Sequence, residues 1–368
     1  MYSQTEIDEA VAAGAMTAEA ANALRAHIEQ QRASPTPDEE QFRLITGFND
    51  IFVSIAAAIL LFAVGFIGQW IGERTGSAIP DGPSFLGPLL IAITSWSLAL
   101  FFTAKRRMAL PSILLLLAFI GSVFATAAIS LVLAVGPAAL DDNPQLGGVL
   151  ASLAATIAAA AAWLHWRTFR VPITVATGAA AVAAIVVGLV VAALGEQVEQ
   201  AKNLILGIVL LLGIGTFLFA MWWDSSDRAR LTRRADVAFW LHLLAAPMIV
   251  HPVFTLLGLN DGTATVGEGL VVVLLYVVIG LTALAIDRRA LLVSALAYVL
   301  YALNKLFEQF GAVELNVALT ALIIGSALLM LSAFWHQARS MVVKPLPTGL
   351  RDRLPLVDRA APIPQPAA

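Results

Sequence analysis

Ten long apolar segments, separated by turns whose basic residues fall almost entirely on alternate sides, constrain this chain more than any other feature. The segments run roughly over 48–72, 85–104, 109–135, 147–165, 171–194, 203–223, 235–258, 267–286, 290–310 and 313–335. Each is close to the roughly 20 apolar residues that an α-helix needs to cross a bilayer. Hydrophobic residues make up 59% of the chain and charged residues 13%, more apolar surface than a water-soluble core can hide. The expected fold is therefore all-α: a polytopic transmembrane helical bundle of about ten spans, with the lipid bilayer as its first partner. Of the 22 Lys and Arg, only Arg74, Lys202 and Lys305 fall away from one side of this arrangement. The positive-inside rule then places both termini in the cytoplasm. Trp70, Trp163, Trp166, Trp222, Trp223 and Trp335 flank span ends and are expected to be interfacial anchors.

The polar ends divide the rest of the chain. Residues 1–33 read as a cytoplasmic helical hairpin: Ser3 and Glu6 fit a capping box, Gly14 breaks the first helix, and Thr17 caps the second. Its apolar positions are too few for an independent core, so it is expected to dock on the protein itself, on a second copy or on a protein partner. Residues 34–47 are a linker and pre-membrane segment, and 48–335 form the membrane domain. The segment before the first span is polar and has no apolar h-region, so that span is expected to act as an uncleaved signal anchor. Residues 336–368 hold Pro345, Pro347, Pro355, Pro362, Pro364 and Pro366 with little periodicity, and read as a disordered cytoplasmic tail.

Two stretches of the chain read alike in the same orientation. Arg43-Leu44-Ile45-Thr46 leading to Asp50 resembles Arg230-Leu231-Thr232 leading to Asp236. Lys105-Arg106-Arg107 followed by Ser112 resembles Asp287-Arg288-Arg289 followed by Ser294, and Trp163-Leu164-His165 resembles Phe334-Trp335-His336. These matches suggest a parallel repeat of spans one to four with spans seven to ten.

Ionisable groups inside a span are costly and are the first places to look for function. Span nine carries Tyr298, Tyr301, Asn304, Lys305 and Glu308. Residues 298, 301, 305 and 308 share one helix face. Span seven carries His242 and His251 beside Pro247 and Pro252. Counted from the cytoplasmic ends of their spans, Lys305 and His251 reach a similar depth of about 22 Å at the α-helical rise. One reading places His251, Lys305 and Glu308 in a polar pocket between spans seven and nine. The other pairs Lys305 with Glu308 near the outer headgroups and leaves His251 to bond a neighbouring helix. The two histidines lie nine residues apart, on opposite faces of an ideal helix, which argues against a two-histidine site. His165 and His336 sit at inner helix ends and read as interfacial.

The chain has no cysteine, which excludes disulfides and thiolate chemistry. It also has no HExxH, no GxxxxGK[ST] and no GxSxG sequence. No catalytic residue, metal site, cofactor or nucleic-acid contact is therefore expected. Gly14-Ala15-Met16-Thr17 in the hairpin and Gly47-Phe48-Asn49-Asp50 ahead of many consecutive spans resemble a family of bacterial predicted membrane proteins carrying a domain of unknown function. That resemblance implies the bacterial inner membrane and transfers no activity. Two function classes follow: a non-enzymatic membrane scaffold or envelope-associated protein, or a secondary transporter of a small solute using the pocket between spans seven and nine.

Overall fold

Apolar runs bounded by Pro, Gly and polar caps form long helices. A computed structural model describes residues 10–24, 48–141, 143–228, 230, 232–258, 266–289, 291–292, 296, 300 and 316–356. The helices are α1 (Phe48–Thr75), α2 (Leu86–Phe102), α3 (Ala109–Val135), α4 (Pro144–Phe169), α5 (Ile173–Leu194) and α6 (Lys202–Ser225). They continue with α7 (Arg233–Leu256), α8 (Val266–Ile286), α9 (Asn316–Ala333), α10 (Trp335–Val343) and the single turn α11 (Thr348–Arg351). The described residues contain no strand beyond an isolated bridge between Ala78 and Ser84.

Among the described residues, six helices (α1, α3, α4, α5, α6 and α7) are long and apolar enough to cross a membrane. The protein is thus an all-helical, membrane-embedded chain. The expected second span forms the shorter apolar helix α2, and the expected eighth and tenth correspond to the apolar stretches Leu270–Ile286 and Leu322–Ala333. Most of the expected ninth span lies outside the described residues.

The helix ends follow local chemistry. Asn143 accepts from the Leu146 amide at 3.0 Å, with Pro144 in the first turn, where its missing N–H costs nothing. Thr232 caps α7 through the Arg234 amide at 3.2 Å. Gly136, at φ 87°, ends α3 in a conformation that a side chain would resist.

Consecutive helices pack as neighbours, α1 with α2 and α3, α3 with α4, α4 with α5, and α6 with α7. Bilayer lipid is as apolar as leucine, so close approach of backbones must replace the hydrophobic drive between helices. Small residues supply it. A Cβ on Gly148 would stand 2.5 Å from the Gly188 carbonyl oxygen and the Ala192 nitrogen, and Ser152 donates across the same interface to the Ile185 carbonyl at 3.1 Å. Gly213 of α6 likewise lies against the Met248 backbone of α7, whereas Gly207 and Gly215 face open space. The outward faces keep their large side chains exposed, as with Phe52, Ile59, Phe62 and Phe66 on α1.

In the N-terminal unit the chain turns at Gly14, whose φ is 71°, and its amide donates to the Val11 carbonyl at 3.1 Å. Thr17 then accepts from the Ala20 amide at 3.1 Å and starts a helical run over 18–24. Ser3, Glu6 and the linker over 34–47 lie outside the described residues.

At the other terminus the structure corrects the expected disorder of 336–368 as far as Leu356. Trp335, Arg339 and Val343 recur every fourth residue and bury one face of α10. Leu354 beyond α11 is buried too. The prolines of this stretch conceal its order, because hydrogen bonds from distant arginines hold it (see below). Residues 357–368 lie outside the described residues.

Positions matched by the suggested repeat have unlike surroundings. Asp50 is buried and Asp236 half-buried. Leu164 is exposed where Trp335 is buried, and His165 is buried where His336 is half-buried.

Candidate functional site

Among the described residues, the largest concentration of buried charge lies at the arginine-rich end of the later helices, around Asp224 in the last turn of α6. Asp224 is fully buried. Arg288, just past α8, grips it with two nitrogens: Nη2 at 2.5 Å from Oδ1 and Nε at 3.2 Å from Oδ2. The planar guanidinium suits this two-point contact. The same Nη2 donates to the Ala235 carbonyl at 3.0 Å, so one arginine joins α6, the first turn of α7 and the turn after α8.

His242 completes the group from α7. Its Nε2 stands 3.1 Å from Asp224 Oδ2. Helix side chains tilt toward the N-terminus, so His242 reaches back toward Asp224 from deeper in α7. A carboxylate accepts only, so Nε2 carries the proton. Nδ1 is buried and has no hydrogen-bond partner among the described residues. The ring packs edge-on against Phe217, with centroids 5.2 Å apart.

A second group is covalently continuous with the first through Asp287, the neighbour of Arg288. Asp287 and Arg230 both hold positive φ, 57° and 55°, at turns between helices. Arg230 donates to Asp287 Oδ2 at 2.8 Å and to the Ile286 and Asp287 carbonyls at 2.9 and 3.1 Å. It therefore serves the open carbonyls at the C-terminal end of α8. Trp335 Nε1 donates to Asp287 Oδ1 at 2.8 Å. Trp335 is thus buried and hydrogen-bonded, not the interfacial anchor its sequence position suggests. Asp227 accepts from the Thr232 amide and hydroxyl at 2.9 and 2.7 Å and fixes the start of α7.

The third part is a clasp on the C-terminal segment. Arg339 donates to the Pro355 and Leu356 carbonyls at 2.7 and 2.9 Å. Arg228 donates to the Leu354 carbonyl at 2.9 Å and to the Arg351 carbonyl at 3.3 Å. Arg339 also lies 3.8 Å from Asp287, which links the clasp to the second group.

These contacts separate the two histidines of span seven. His242 belongs to the Asp224 group, whereas His251 is exposed two and a half turns away. Tyr298, Tyr301, Asn304, Lys305 and Glu308 lie outside the described residues. Leu296 shares a hydrophobic cluster with Val250 and Phe254 of α7. His165 is not interfacial: it is buried, 3.3 Å from the Thr174 hydroxyl and ringed by Trp96, Phe119 and Phe169. Among the described residues, no three His, Asp or Glu side chains converge as metal ligands.

In the sequence, Arg228, Arg230 and Arg288 stand out as topological charge, and Arg230 and Arg288 also as marks of the suggested repeat. The missed signal is acidic: Asp224, Asp227 and Asp287 occur in the same short turns as those arginines. Chemically, the arrangement cross-links loops with charge and holds one histidine in a fixed tautomer. Comparison of the chain with protein-family models, with curated proteins and with solved structures gave no match.

Proposed function

We propose that this chain is a non-enzymatic scaffold or envelope-associated protein of the bacterial inner membrane, with about ten spans and both termini in the cytoplasm. The carrying observation is how its buried charges are used. Asp224, Arg288 and His242 engage one another, and Arg230, Asp287 and Arg339 join the turns to the C-terminal segment. Charge spent on holding loops together builds a rigid platform at the end that the positive-inside rule assigns to the cytoplasm. The exposed Arg233, Arg234, Arg351 and Arg353 would form its outer surface. The hairpin over 1–33 would add a docking element for a protein partner or a second copy.

The test is a thermal melt of the purified full-length chain in detergent against a panel of small metabolites from pH 5 to 8. A ligand that binds only the folded protein must raise the melting temperature. The scaffold reading expects no metabolite to do so. A metabolite that stabilises the wild type but not Lys305→Ala or His251→Ala would overturn it in favour of solute transport.

A further inference from the structure

Side chains of α8, α9 and α10, with Arg289, Leu292 and Leu296, line a cavity of about 140 Å³. A dry apolar cavity of roughly this size, about 150 Å³, accommodates a benzene-sized hydrocarbon. Here Leu292, Leu296, Leu328 and Leu331 form the wall. Its surface is almost wholly apolar, and Arg289 and Tyr276 also contribute to the lining. The Arg289 guanidinium lies over the Trp335 ring, 4.9 Å from its centroid, at the arginine-rich end. The Tyr276 hydroxyl is buried in the same lining and has no hydrogen-bond partner among the described residues.

The axial order of these groups matters. Leu328 lies seven residues before Trp335, so the apolar wall extends about 10 Å inward from the cationic end at the α-helical rise. The surroundings are those of a bilayer-facing surface. Ser332 at the rim is exposed, as are the neighbouring Leu329 and Met330 on α9 and Leu274 and Val278 on α8. A cation at headgroup level above a leucine-lined slot that opens among exposed apolar side chains complements one kind of molecule. It must carry an anion at one end and an alkyl chain beyond.

We propose that this cavity binds one anionic phospholipid, with its phosphate on Arg289 and part of an acyl chain between Leu296 and Leu328. Basic pockets between membrane helices near the headgroups suit such lipids. Stacking on Trp335 holds the guanidinium plane in place, so little side-chain entropy remains to be lost on binding.

The test uses the full-length chain in a neutral detergent with added dioleoyl phosphatidylglycerol, dioleoyl phosphatidylcholine or inorganic phosphate. Phosphatidylglycerol is expected to raise the melting temperature by about 2 °C or more, and the other two by much less. Arg289→Gln and the space-filling Leu296→Phe should each abolish the gain. Arg234→Gln, at an exposed arginine outside the cavity, should keep it. Equal stabilisation by phosphatidylcholine, reproduction by phosphate alone, or a gain that survives both cavity variants would overturn the proposal. If the variants fold poorly, native mass spectrometry of the wild type decides. One phosphatidylglycerol retained in preference to phosphatidylcholine is expected, and no such preference would refute the site.

Discussion

Asp224 receives two nitrogens from Arg288 and one from His242 while lying fully out of solvent. Bringing both charges out of water is costly, and mutual attraction repays that cost only while both partners are present. Arg288→Gln strands a buried carboxylate, and the expected loss is about 3–5 kcal/mol of stability, read from chemical unfolding in detergent. Arg288→Lys should recover only part of it, because an ammonium cannot reproduce the two-point grip. An unchanged unfolding midpoint in Arg288→Gln would show that the pair carries no weight. At this scale the sequence was least informative. It marked His242 as an ionisable group inside span seven, but the partner sits in another helix, and only the packing of α6 on α7 and the turn after α8 supplies it. Trp335 misled for the same reason. A tryptophan at a span end suggests headgroups, yet the carboxylate of Asp287 takes its N–H.

At the scale of elements, period and composition found most of the membrane helices. The apolar runs expected from 109 to 135 and from 171 to 194 correspond to Ala109–Val135 and Ile173–Leu194. Continuous apolarity needs only a length and a stop signal to be read, and Gly136 and Gly195 provide the stops. The C-terminal segment was not legible because its order is long-range. Arg228 reaches across more than a hundred residues to the Leu354 and Arg351 carbonyls, and no local pattern records such a bond. The clasp makes a direct prediction. Arg339→Ala, which removes the bonds to Pro355 and Leu356, should expose the chain after Leu350 to limited proteolysis under conditions where the wild type resists cleavage there. Identical digestion of the two proteins would mean that the clasp does not hold the segment.

On the scale of the whole molecule, a membrane-embedded chain follows from apolar helices whose outward faces stay uncovered. Orientation rests on the distribution of charge, and the cysteine-free sequence makes it directly measurable. Thr75 ends α1 and Ser226 follows the last residue of α6; both positions are exposed, and the two helices are expected to cross the membrane in opposite directions, so single cysteines there report on opposite sides. In intact cells a membrane-impermeant maleimide should label Thr75→Cys, but label Ser226→Cys only after permeabilisation; the reverse pattern would invert the proposed topology. The central claim is that the buried charges at the arginine-rich end are structural partners of one another. The most direct test is a double-mutant cycle of Asp224→Asn and Arg288→Gln, with unfolding free energies measured in one detergent. The account predicts a double variant markedly less destabilised than the sum of the singles, with a coupling of at least ~1 kcal/mol. Losses that simply add would contradict it.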